Sequence, residues 1–355
     1  MTTSARPVSL TGIKPTGDPH LGNYIGAIQP AIALAAEYDA YYFIADYHAL
    51  TSVRDPAELD RDTAAVAATW LAFGLDPESV AFYRQSDVPE TFELTWILAC
   101  MTAKGLMNRA HAYKAARAAN EAAGNPDLDA GVNMGLFEYP VLMAADILIM
   151  GADVVPVGRD QVQHVEYARD IAERFNQAYG ERYAFTLPAH RTAAEEAEHT
   201  LPGLDGRKMS KSYDNTIPLF AAPERLRALV RRMKTDSTPV EEPKDPDASS
   251  LFAIYRHVAG DADQRALRER MLAGGLGWGE MKDIVFEALD AVLAGPRERY
   301  EALMADRSQI DAVLAAGAER ARERARPLLE AVRDAIGISA RGAVPGQAGG
   351  GRRSA

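Results

Sequence analysis

The chain has 355 residues, enough for two domains or for one large domain with an appendage, and it can bury a sizeable core. Its formal net charge of -11 means that a nucleic-acid partner would have to be met by a local basic patch on an acidic body. The single cysteine, Cys100, excludes an intrachain disulfide and a cysteine-based metal cluster; inside the apolar run 96–101 it reads as a buried structural thiol. No apolar stretch reaches the roughly 18–20 residues of a membrane span, and the N-terminus lacks an apolar targeting core. The reading is a soluble, cytoplasmic protein with no membrane partner.

In chain order, residues 7–13 form an apolar run that predicts a strand, and Lys14-Pro15-Thr16-Gly17 breaks it. Asp18-Pro19 carries the cap-and-proline signal of a helix that runs to about Glu37, with Pro30 set to kink or shorten it. Residues 41–45 are strand formers apolar on both faces, as in a covered parallel strand, and Asp46-Tyr47-His48 follows at the carboxyl end. A helix from Asp55-Pro56 to Phe73 and a strand at 80–84 complete a βαβαβ alternation. Ligands of such open sheets bind beyond the carboxyl ends of the strands, so the loop 11–17 and Asp46–His48 should converge. Residues 89–123 read as helical, 135–150 as a helix, 153–157 as a strand and 160–179 as a helix, whereas 181–207 has no clear period. From 223 onward every segment reads as helix (223–233, 249–259, 262–273, 280–305 and 307–337), and the Gly- and Arg-rich stretch 342–355 reads as a disordered tail.

Two stretches carry chemistry. Lys208-Met209-Ser210-Lys211-Ser212 sets two lysines three apart on a loop of small residues, which suits a polyphosphate; taken alone it is equally a solvated basic turn. In Thr16 to Asn23 a glycine turn enters a helix whose start bears His20 and Asn23 on one face. Free N–H groups at a helix start attract anions, Gly22 leaves room for a flat ring against the backbone, and His20 and Asn23 can donate to phosphate oxygens. A capped surface helix with an incidental histidine is the plain alternative. Further on, Tyr139, Met143 and Asp146 fall at i, i+4 and i+7, one face of one helix. A carboxylate among Met, Ala, Ile and Leu either faces water or is buried with a partner.

The pair His20-Leu21-Gly22-Asn23 and Lys208-Met209-Ser210-Lys211-Ser212 resembles the two nucleotide signatures of the class I aminoacyl-tRNA synthetases. Blocks at 11–17, 22–27, 46–51, 139–147 and 155–161 extend the resemblance over nearly the whole chain and narrow it to the bacterial tryptophanyl branch. The resemblance implies a Rossmann-like parallel-sheet catalytic domain over 1–220 with a helical insert at about 89–134, a helical anticodon-binding region over 221–340, and a homodimer. It implies that ATP and Mg²⁺ activate L-tryptophan as an adenylate, which is then passed to tRNA(Trp). Lys208 and Lys211, with Met209, Ser210 and Ser212, would close over the β- and γ-phosphates. Lys14, Pro15, Thr16, Gly22, Asn23, Gly158, Arg159, Asp160 and Leu201 would line the nucleotide, Asp160 on the ribose hydroxyls and Leu201 giving adenine a backbone contact. Tyr139 and Gln161 resemble the pair that holds the α-amino group, and His48 lies near the ligand without a derivable role.

Indole N–H is donor-only, so Asp146 suits it as acceptor, with Met143, Val155 and Val157 as apolar walls. Tyrosine's phenol would ask for a donor as well, which separates the tyrosyl relative. Tryptophan is the bulkiest standard side chain, so exclusion by size needs no second sieve, and no long editing insert interrupts 50–135. The chain departs from the family's pattern at Lys14, where glutamine is common, at Leu10, where an aromatic often packs, and at Arg159, often acidic. Two other readings stay open: a paralogue that binds nucleotide or RNA without aminoacylating, and a small-molecule nucleotidylyltransferase. The arginines and lysine at 225, 227, 231, 232 and 234 offer a cluster for a tRNA backbone or a solvated face; Arg320, Arg322, Arg324 and Arg326 alternate with acids and read as a solvated face. The apolar helix 91–101 reads either as a dimer surface or as core.

Overall fold

A computed structural model describes residues 6–15, 17, 19–192 and 201–338, the side chain of Asp160 excepted. Five strands, β1 (Val8–Ile13), β2 (Asp39–Ile44), β3 (Val80–Arg84), β4 (Val154–Pro156) and β5 (Ala189–Arg191), pair in parallel in the order β3-β2-β1-β4-β5. β2 is buried after its first residue, as a strand covered on both faces must be, and its apolar run needs no alternation. Register aligns Ile13, Ile44 and Arg84, so the three chains leave the sheet side by side at Lys14, Ala45 and Gln85. Chain order reverses between β1 and β4, and the crevice beyond that point is where an open sheet receives a ligand. β5 falls in the stretch without a period: three exposed residues are too few to set one.

Helix α1 (21–35) begins after His20, not after Asp18, which lies outside the described residues. Its turn Tyr24–Ile28 is widened to π form, so Pro30 falls in the first turn of a fresh α segment, Gln29–Ala35, where a missing N–H costs nothing. α2 (Pro56–Ala72) is capped by Asp55, whose carboxylate accepts from Ala57 N–H at 2.9 Å. The stretch 89–123 that reads as helical holds three helical pieces: α3 (Glu90–Met101), a single turn Lys104–Met107 and α4 (His111–Ala122). Thr102 and Ala103 are extended, and the short turn between the helices sinks Leu106 and Met107 into the core. Cys100 is exposed, correcting the expectation of a buried thiol. On α3, Leu94, Ile97 and Leu98 face inward, and Cys100 shares the outer face with Trp96, four residues earlier and 73% exposed. α5 (Met134–Ile149) is capped by Asn133 and packs on α3, and α6 (Val162–Tyr179) packs beside it.

After 222 the described chain is helical: α7 (Pro223–Arg232), α8 (Ser250–Tyr255), α9 (Asp261–Ala273), α10 (Trp278–Ala305) and α11 (Ser308–Ile336). α11 lies against β3 and covers that edge of the sheet. The approach is so close that a Cβ on Gly317 would stand 1.9 Å from the Phe82 carbonyl oxygen. Its arginines are therefore not a solvated face. Arg320 donates to the carbonyls of Pro77, Glu78 and Val80, Arg324 to Met150, while Arg322 and Arg326 meet Glu90 and Arg333 meets Glu93. Alternation with acids in sequence does not reveal a neighbour across the fold. A second core joins Leu21 and Ile25 of α1, Met209, Ile217 and Leu219 to the inner faces of α7–α10, so both signature stretches rest on one apolar base.

Candidate active site

The lysine loop and the start of α1 are joined by backbone. Leu21 N–H donates to Ile217 O at 2.8 Å and Leu219 N–H to Pro19 O at 3.2 Å. Met209 is buried against Gly22: a Cβ there would lie 3.7 Å from Met209 Cβ. Lys211 Nζ reaches over the first loop, 3.1 Å from where a Cβ on Gly17 would stand, and Gly17 holds φ at +54°, so a side chain is disfavoured twice. Lys208, Lys211 and Ser212 are exposed, Ser210 half-buried. The loop's shape comes from Asn215, 2% exposed: its Oδ1 accepts from Ser210 N–H at 2.8 Å and its Nδ2 donates to Lys208 O at 3.1 Å and to Asp205 at 2.7 Å.

His20 is buried, and burial first, then the charge of Lys211, pushes its pKa down to about 4. It therefore stands neutral beside the lysines at physiological pH, a hydrogen-bonding group and not a third cation. Asn23 Oδ1 accepts His20 N–H at 3.0 Å, leaving the amide hydrogens of Asn23 to donate elsewhere. The unfolded chain would protonate His20 near 6.5 and the folded chain only near 4, so stability falls as pH drops from about 6.5 towards about 4 and is whole above that window. Urea midpoints across that range are expected to slope less steeply for His20→Asn than for the unaltered chain, by up to one proton; equal slopes would mean that His20 is not held neutral.

On the opposite side Lys14 donates to Thr51 Oγ1 and Ser52 Oγ, each at 3.2 Å, and its pKa is lowered by burial; Pro15 is buried beside it. Gly158 precedes the single turn Arg159–Gln161, with Arg159 exposed. Thr16 and the Asp160 side chain lie outside the described residues. Leu201 is buried beneath the loop, where its carbonyl accepts from Met209 N–H at 2.8 Å.

Asp146 is 3% exposed and buried with partners, which settles the question its apolar neighbours raised. His48 Nε2 donates to Oδ2 at 3.0 Å, and Gln85 Nε2 donates to Oδ1 at 2.9 Å and to Oδ2 at 3.0 Å. Burial raises the pKa of Asp146, and the bonds from His48 and Gln85 oppose that rise. His48 thus gains a role, holding the carboxylate. Gln85 was not read from the sequence, although its place just after β3 is where this fold gathers ligands. Asp46 ties the two strand ends together, accepting from Ser86 N–H at 3.1 Å and from Ser86 Oγ.

Tyr139 and Gln161 are joined by a second unread residue, His164 of α6: its Nε2 lies 2.6 Å from Tyr139 Oη and its Nδ1 2.9 Å from Gln161 Oε1. Met143 and Val157 pack half-buried on the main core and Val155 is buried within it.

The family model described as tRNA synthetases class I (W and Y) matches residues 3–294. The tryptophan--tRNA ligase of Pseudomonas aeruginosa is 56% identical over 332 residues, covering 93% of this chain and 73% of its own. That of Neisseria meningitidis is 54% identical over 331 residues, covering 93% and 97%. The crystal structure of tryptophanyl-tRNA synthetase from Campylobacter jejuni complexed with ADP and tryptophan superposes with a TM-score of 0.83 at 41% identity, covering 93% of this chain and 99% of that one. The chain belongs to the class I tRNA synthetase family of tryptophan and tyrosine enzymes, on its tryptophan side.

Proposed function

We infer that the chain joins L-tryptophan to tRNA(Trp) at the expense of ATP, through a tryptophanyl-adenylate, with release of pyrophosphate and AMP. The observation that carries the substrate is Asp146: a buried carboxylate whose two partners both donate to it offers lone pairs and no hydrogen, which suits the donor-only indole N–H, whereas a phenol would ask for a donor as well. Met143, Val155 and Val157 supply apolar walls, and Tyr139 and Gln161 hold the α-amino group. The tryptophan carboxylate then attacks the α-phosphorus. No side-chain nucleophile is required, because alignment and charge stabilisation suffice for such a displacement. Lys208 and Lys211 receive the charge that grows on the departing pyrophosphate, while neutral His20 and the Asn23 amide donate to phosphate oxygens. Gly22 lets the purine lie on the backbone, and Lys14, Pro15, Thr16, Gly158, Arg159, Asp160 and Leu201 surround the nucleotide.

Among the described residues no three His, Cys, Asp or Glu side chains converge as a metal site. Mg²⁺ would come on the nucleotide's own phosphates, where it would neutralise charge. For tRNA, the exposed Arg225, Arg232 and Lys234 around α7 form the candidate backbone contact, since Arg227 and Arg231 are drawn to Asp283 at 3.2 and 3.3 Å. The outer face of α3, with Trp96, is the candidate homodimer surface, and a sedimenting mass twice that of the chain would bear it out. Among the described residues no helix is long and apolar enough to cross a membrane.

Charging tests the reading. Incubated with ATP and a tRNA(Trp) transcript, the enzyme is expected to form acid-precipitable tryptophanyl-tRNA, and Arg225→Glu to slow that step without slowing adenylate formation. Charging of tRNA(Tyr) with tyrosine instead would overturn it.

A further inference from the structure

We propose that His164 is a positioning residue that turns the Tyr139 hydroxyl into a pure acceptor for the ammonium group of the amino acid; this rests on the reading of Tyr139 and Gln161 as the holders of that group. His164 is 4% exposed and bridges α5 and α6, so its ring has a fixed place. Its Nδ1 faces Gln161 Oε1 at 2.9 Å. A carbonyl oxygen has no hydrogen to give, so Nδ1 carries the proton and donates. In the neutral ring that leaves Nε2 bare, and the Tyr139 O–H, 2.6 Å away, donates to it.

The consequence lies at the ligand. An ammonium has three donors and no acceptor. With its hydrogen committed to His164, Tyr139 Oη can present only lone pairs to that group. The opposite arrangement, with the amide of Gln161 turned round, would put a hydrogen on Nε2, free the phenolic hydrogen and aim donors at a cation from both sides. One buried imidazole thus fixes the sense of two hydrogen bonds, and neither signature motif contains it.

The test compares two ligands in pyrophosphate exchange: tryptophan, through its KM, and 3-(indol-3-yl)propanoate, which lacks the amine, through its Ki as a competitive inhibitor. His164→Phe keeps an aromatic ring and removes the acceptor. It is expected to raise the tryptophan KM about 10- to 100-fold, the scale of one hydrogen bond to a charged group, and to move the Ki by less than about twofold. His164→Gln can offer an oxygen to Tyr139 and is expected to restore most of the loss; it also keeps the test open if the phenylalanine variant folds poorly. Tyr139→Phe checks the underlying reading: a loss no greater for tryptophan than for the amine-free acid would remove Tyr139 from the amine and the proposal with it. If Tyr139→Phe is selective but His164→Phe shifts both ligands equally, or neither, His164 is only packing and the proposal alone is wrong.

Discussion

Replacing Lys211 by alanine is expected to lower kcat for tryptophan-dependent pyrophosphate exchange by about 10²- to 10³-fold, with the tryptophan KM moving less than about threefold. The expectation follows from where the ammonium stands: on an exposed loop, above Gly17, with the neutral ring of His20 beside it. Charge that appears on pyrophosphate only as the bond to the α-phosphorus breaks is worth more to a nearby lysine in the transition state than in the bound substrate, and that difference enters kcat. A variant whose ATP KM alone rose would mean that Lys211 holds the ground state and does not act on the leaving group. Steady-state exchange at varied ATP and tryptophan separates the two outcomes.

Asp146→Ala is expected to act on the other substrate, raising the tryptophan KM by about 30- to 100-fold while the ATP KM moves less than about threefold. It removes the proposed acceptor for indole and leaves His48 and Gln85 pointing donors at nothing, so a loss of stability on the order of 3 kcal/mol should accompany it. Asp146→Asn separates these effects. It keeps the shape but has one acceptor oxygen in place of two and carries no charge, so it should bind tryptophan poorly without leaving a cavity. Equal losses for tryptophan and ATP in both variants would strip Asp146 of its role.

How much of this could be read from the chain depended on whether the signal was local. The strands β1 to β4 announce themselves because covered parallel strands are short apolar runs, and the two signature loops because they occur together: each alone reads equally as a basic turn or a capped surface helix, and the pair in one chain carries the resemblance. Gln85 and His164 gave no such signal: each acts by reaching across the fold to a residue far away in sequence, Asp146 or Tyr139, and a lone amide or imidazole in an ordinary run carries no pattern. His164 had one faint mark, standing three residues after Gln161. The destination of α11 was equally hidden, since a helical period tells that one face is buried but not that Gly317 lies on Phe82. Cys100 failed in the opposite direction: the run 96–101 is apolar all round, and composition alone could not tell the face of Trp96 from the face of Leu98.

The most direct measurement of the central claim is exchange of labelled pyrophosphate into ATP with the purified, unaltered chain, run with tryptophan and with tyrosine at matched concentrations. A tryptophan-specific activity gives exchange that requires tryptophan and stays at background with tyrosine. Exchange supported by tyrosine, or by neither amino acid, would contradict it.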